Sequence, residues 1–200
     1  MINKIVVLLV LFGLLGFVLS ASGQVDLAAF PTGTTKMVYR IVSGEMQAPQ
    51  SLEVTVVSHG DGQYTLGMFV EASGSKSQLS SFGLLFGGAS MLYGSGGDVS
   101  SSSLQAVMGQ RSRLEEGQEY LLPDGVTFGD IISVEIAGVR CLEGSFIDPA
   151  QEDTRIRIAF ELSHPVYMFP RTIIENRYDE EWVEVLRMEL SEYTFTALED

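Results

Sequence analysis

From residue 35 onward the chain alternates between apolar and polar positions with a period of two. Met37-Val38-Tyr39-Arg40-Ile41 opens the pattern, and Leu52, Val54 and Val56 continue it against Glu53 and Thr55. After His59-Gly60-Asp61-Gly62, Tyr64, Leu66, Met68 and Val70 fall on one side of the next run. Successive side chains of a strand point to opposite faces, so this alternation predicts strands with one face buried. Two such runs around a Gly-Asp-Gly segment predict a hairpin.

The second half repeats the style. Tyr120-Leu121-Leu122 and Val126-Thr127-Phe128 flank Pro123-Asp124-Gly125, where proline presets a turn and glycine supplies positive φ. Strands are predicted from Ile131 to Ala137 and from Val139 to Ile147. Ile156, Ile158, Phe160 and Leu162 then alternate with Arg155, Arg157, Ala159 and Glu161, and His164-Pro165 ends that run. Ile173 to Tyr178 and Val183 to Phe195 close the chain around the solvated turn Asp179-Glu180-Glu181. Strand after strand with short turns and no intervening helix predicts a mainly β fold. The expected form is a curved antiparallel meander sheet, half-barrel or barrel-like, with one or two short helices.

Two segments break the pattern. Residues 73–103 are rich in Ser and Gly and carry no charge between Lys76 and Asp98. Within them Phe82, Leu85, Phe86, Ala89, Leu92 and Tyr93 recur at helical spacing, although Gly83, Gly87 and Gly88 weaken a helix there. A second short helix is expected at Leu104 to Met108, with Ser103 as N-cap and Gly109 just past its end.

The other exception is the N-terminus. Lys4 precedes an unbroken apolar run from Ile5 to Leu19, interrupted only by glycines, and Ser20-Ala21-Ser22-Gly23 follows. Positive residue, apolar run and small residues, in that order, make a secretory signal, with Ala21 and Gly23 at the −3 and −1 positions of a cleavage site. The run is shorter than the roughly 20 residues of a spanning helix. The expected organisation is therefore a signal peptide at 1–23, or an uncleaved anchor, followed by one β-rich extracytoplasmic domain at 24–200. Lys4 stays inside and the acidic body goes out on either reading.

Composition sharpens this picture in two ways. The net charge of −14 repels phosphate backbones and anionic lipid headgroups, so nucleic acid is not an expected partner. The only expected membrane contact is through the N-terminal segment, if it is uncleaved. The single cysteine, Cys141, cannot form an intramolecular disulfide and shares a strand face with Val139, which predicts a small buried hydrophobe.

The chemistry-bearing patterns are sparse. The chain has no Gly-x-Ser-x-Gly elbow, Cys-x-x-Cys pair, His-Glu-x-x-His, phosphate-binding Gly-Lys loop or EF-hand loop, so no cofactor or metal is expected. His59 and His164 stand far apart, each at a strand end. Glu115-Glu116-Glu119, Asp148 with Glu152-Asp153, and Asp179-Glu180-Glu181 read as solvated loop charges, because they sit beside turn residues. Arg155 and Arg157 share one strand face and could hold an anion, but read more simply as the wet side of an amphipathic strand.

Two non-catalytic functions fit. The first is binding or carriage of an apolar small molecule or lipid. The sheet would form a trough, with Phe82, Leu85, Phe86, Ala89, Leu92 and Tyr93 facing the ligand as a lid or filling the trough as core. The second is a cell-surface structural or protein-interaction module, whose partner the sequence does not name.

Overall fold

The computed structural model describes residues 25–44, 48–74, 101–123 and 125–198. Among the described residues nine strands form one antiparallel sheet: β1 (Gly33–Ser43), β2 (Gln50–Ser58), β3 (Tyr64–Glu71), β4 (Tyr120–Leu121), β5 (Thr127–Ile136), β6 (Val139–Ile147), β7 (Thr154–Glu161), β8 (Arg171–Tyr178) and β9 (Glu181–Ala197). Helix α1 (Ser101–Gln110) and two 3-10 turns, Leu27–Ala29 and Arg111–Arg113, complete the described elements. The mainly β meander expected from the alternation is the fold observed.

The strand order is β3-β2-β1-β9-β8-β7-β6-β5-β4. Two runs of hairpins thus meet where the first long strand, β1, pairs with the last, β9. The sheet is open, with β3 at one end and β4 at the other. Bulges between Val38 and Tyr39, Gly129 and Ile132, and Ile174 and Glu175 interrupt the register, and such insertions bend a strand and increase its twist.

The turns follow from local chemistry. Gly60 and Gly62 take φ of +81° and +80° between β2 and β3, and Gly125 takes +78° between β4 and β5. The β5–β6 and β8–β9 hairpins have two-residue connections with positive φ at both positions: Ala137 (49°) with Gly138 (79°), and Asp179 (48°) with Glu180 (72°). That is the signature of turns whose twist matches the flanking strands.

One face of the sheet carries the core. Met37, Tyr39, Leu52, Val54, Val56, Phe146, Ile156, Ile158, Phe160, Ile174, Leu186 and Leu190 are buried there. Phe128 stacks obliquely on Phe146 at 4.8 Å and edge-on against Phe160 at 5.7 Å. Gly144 makes room for it: a Cβ there would stand 2.7 Å from Phe128 Cε1. Part of the cover over this face is the β7–β8 connection. Val166 is buried, Phe169 meets Phe160 edge-on at 5.5 Å, Tyr39 Oη donates to Met168 O at 3.1 Å, and Tyr167 N donates to Met37 Sδ at 3.3 Å. Val107 of α1 joins the same core.

The short helix differs from its expected bounds. It begins at Ser101, so Ser103 lies inside the first turn rather than at the N-cap, and Gly109 falls within the last turn. Glycine costs a helix only about 1 kcal/mol, which the burial of Val107 offsets.

Candidate functional site

The stripe read as ligand-facing, Phe82, Leu85, Phe86, Ala89, Leu92 and Tyr93, lies outside the described residues, as does the N-terminal segment 1–23. Most of the Gly/Ser-rich stretch at 73–103 lies outside them as well. The described residues offer two other places where chemistry or recognition could occur.

The first is the polar face of β6 to β9. Ladder register places Glu143, Ala159, Arg171 and Glu189 in one row across four strands. Ala159 is too small to fill its place, so Arg171 reaches over it to Glu143, Nη1 to Oε2 at 2.8 Å, while its Nε donates to Glu189 at 2.7 Å. Arg157, one residue pair along, donates to the other oxygen of Glu143. In the adjacent row Arg155 Nε donates to Glu175 Oε2 at 2.7 Å, and its guanidinium lies 4.6 Å from the ring centre of Trp182. Arg187 closes the network onto Glu184 at 2.6 Å and Glu189 at 3.0 Å.

Arg155 and Arg157 are therefore not simply a wet strand face. They are half-buried members of a charge-balanced network, because β6 and β8 bring Glu143 and Glu175 beside them. A groove of about 300 Å³ opens next to it, lined by Asp130, Ile132, Glu143, Gly144, Ser145, Arg155 and Arg157. Both oxygens of Glu143 accept charge-assisted hydrogen bonds from guanidinium groups, Oε1 from Arg157 and Oε2 from Arg171. The network ties β6, β7, β8 and β9 together across this face, beside the buried Cys141, Ala159 and Ile173.

The remaining candidates have local explanations. His59 sits in the β2–β3 turn with Nε2 3.0 Å from Thr65 Oγ1, and His164 stacks on Tyr193 with ring centres 5.4 Å apart. Glu115, Glu116, Glu119, Glu152, Asp153, Asp179, Glu180 and Glu181 are exposed, and Asp148 Oδ1 accepts from Ala150 N at 2.8 Å. Cys141 is buried beside Val139 as expected, and burial pushes its thiol up to about 12, far from a nucleophilic thiolate at neutral pH. Among the described residues, no group of three His, Cys, Asp or Glu side chains is placed to hold a metal.

The second place is β3. Tyr64, Leu66, Met68 and Val70 share one face, as the alternation predicts, and pair with the buried row of β2. Yet Leu66 is 42% and Met68 43% exposed, and on the opposite face Phe69 is 62% exposed. β3 ends the strand order, so its outer N–H and C=O groups have no strand beside them among the described residues. At the opposite end β4 has only two residues and pairs with Thr127 and Phe128 alone, while Gly117 N donates to Ile131 O further along β5. Natural sheets protect long edges with lysine, proline, bulges, shortness or a covering helix or loop. β3 has eight residues, no lysine or proline, and an unbroken register with β2 from Ser51–Glu71 to Ser58–Tyr64.

No protein-family model and no curated protein sequence matches the chain. Two solved structures resemble it in fold. One is the complex structure of Pseudomonas aeruginosa MucA/MucB, with 9% identity and a TM-score of 0.41 over 87% of this chain. The other is a crystal structure of MucB in complex with MucA(peri), with 9% identity and a TM-score of 0.44 over 91% of this chain. In each case this chain spans 56% of the matched chain, little more than half its length.

Proposed function

We propose that this protein is a non-catalytic, extracytoplasmic protein-interaction module that presents the β3 edge to a partner. The observation that carries the reading is the exposure of Leu66, Met68 and Phe69 on a long, unblunted edge strand. Such an edge supplies main-chain donors and acceptors for an added strand, and its alternate side chains supply contact area. The extracytoplasmic setting rests on Lys4, the Ile5–Leu19 run and the Ala21-Ser22-Gly23 site. Carriage of an apolar ligand gains less support among the described residues, where the groove beside the network has four charged residues, Asp130, Glu143, Arg155 and Arg157, in its lining together with Ile132, Gly144 and Ser145.

A photo-activated cross-linking residue at position 69, introduced in the native host, tests the reading. The same residue at Glu152, an exposed loop position, is the control. Discrete protein adducts at 69 and none at 152 are expected. Lipid adducts at 69 would favour the carrier instead, and identical adducts at both positions would remove β3 as an interface.

A further inference from the structure

We infer that the partner strand at this edge is β3 of a second copy of the chain. The inference rests on β3 being an interface and adds what occupies it. A two-fold axis perpendicular to the sheet keeps each face on its own side, so residues of like parity meet. Placed through Met68, it sets Met68 against Met68, Leu66 against Val70, Gly67 against Phe69, and Thr65 against Glu71. On the core side, the exposed Leu66 and Met68 gain apolar neighbours and extend the rows begun by Val56 and Val54. On the other side the Phe69 ring lies over Gly67. The space is there, since among the described residues a Cβ on Gly67 would meet only Thr55, 3.8 Å away. An aromatic ring over a cross-strand glycine is a recognised way of covering such a gap.

Charge points the same way. Two chains of net charge −14 repel each other over most of their surfaces. β3 is uncharged from Tyr64 to Val70, and its one charge, Glu71, lies at the end of the strand. In the paired arrangement the two Glu71 carboxylates are at opposite ends, each across from a threonine. A foreign strand would need no such symmetry of large against small side chains.

The exported protein, examined by sedimentation velocity across a range of concentrations, should be a dimer that dissociates on dilution. Met68→Lys should sediment as a monomer at every concentration at which the unaltered protein is dimeric. Met68→Cys, treated with a short bismaleimide, should give a covalent dimer while Glu152→Cys gives none, and this arm stands even if the lysine variant folds poorly. The buried Cys141 does not compete for the reagent. A wild-type protein that is monomeric throughout overturns self-pairing, as does a dimer that survives Met68→Lys and is not cross-linked through position 68. A monomer that still cross-links from position 69 to a different protein overturns the self-pairing alone and leaves the interface reading standing.

Discussion

Val54 and Met68 face each other across the β2–β3 ladder, yet Val54 is fully buried and Met68 is 43% exposed. Both belong to the same row on the core side of the sheet, which continues through Met37 to Tyr193. The difference is position: among the described residues, Val54 has strands on both sides and Met68 has one. Burial follows neighbours rather than residue type, so Leu66, Met68 and Phe69 contribute less to the stability of one chain than the matching residues of β2.

That contrast predicts a stability difference between two phenylalanines. Phe69→Ala should change unfolding free energy by no more than about 0.5 kcal/mol in dilute solution, as exposed substitutions do. Phe128→Ala, at the centre of the aromatic cluster over Gly144, should cost about 3–5 kcal/mol. Urea denaturation measures both. An equal loss in the two variants would mean that β3 is covered within the chain and unavailable to a partner.

The polar face predicts a large effect from a small change. Glu143→Gln leaves Arg157 and Arg171 around a neutral amide in a site where the side chain is only 2% exposed. Removing one member of a buried ion cluster costs on the order of 3 kcal/mol. Ala159→Leu should weaken the same cluster by a different route, since a larger side chain would block the path of Arg171 over β7, at a cost of about 1–3 kcal/mol. If Glu143→Gln unfolds at the same urea concentration as wild type, the network adds nothing to the stability of the sheet.

Two carboxylates give stability opposing dependences on acid. Burial alone would raise Glu189, but hydrogen bonds and charge from Arg171 and Arg187 outweigh it and hold its carboxyl below the ordinary value of 4.5. A depressed folded value means stability that is complete above 4.5 and lost as pH falls through the lower folded value. Glu161 is raised by burial against the pull of Arg111, so its contribution is complete below 4.5 and declines as pH rises toward the folded value. Stability measured from pH 6 down to about pH 3 should therefore fall less steeply in Glu189→Gln than in wild type, and more steeply in Glu161→Gln. The reverse order would show that the arginine contacts of Glu189 do not persist in solution.

Turn chemistry offers a gain rather than a loss. Ala137 holds φ of 49° ahead of Gly138 at the exposed tip of the β5–β6 hairpin. Alanine is poorly suited to that conformation and asparagine tolerates it, while Asn-Gly is a preferred pair for this turn. Ala137→Asn should raise unfolding free energy by about 0.5–1 kcal/mol, read as a shift in thermal midpoint. A lowered midpoint would mean that this turn does not keep its left-handed geometry.

Much of the fold was legible along the chain because its causes are local. Alternation at Met37–Ile41, Leu52–Val56 and Ile156–Leu162 depends only on the geometry of a strand, and the turns at His59–Gly62 and Pro123–Gly125 depend on residues with special φ preferences. The burial of Cys141 followed from sharing a face with Val139.

What the residues did not reveal depends on register and on place in the sheet. Arg155 and Arg157 look like solvent-facing charges until strands distant in sequence bring Glu143 and Glu175 within hydrogen-bonding distance. The cover supplied by Val166, Tyr167, Met168 and Phe169 was hinted at only by an apolar run after His164-Pro165. The alternation of β3 is as clean as that of β2, so nothing in it announces exposure. The period of two records which residues share a face. Whether that face gains neighbours on both sides is set by the order of strands, a pairing between distant segments that no single segment encodes.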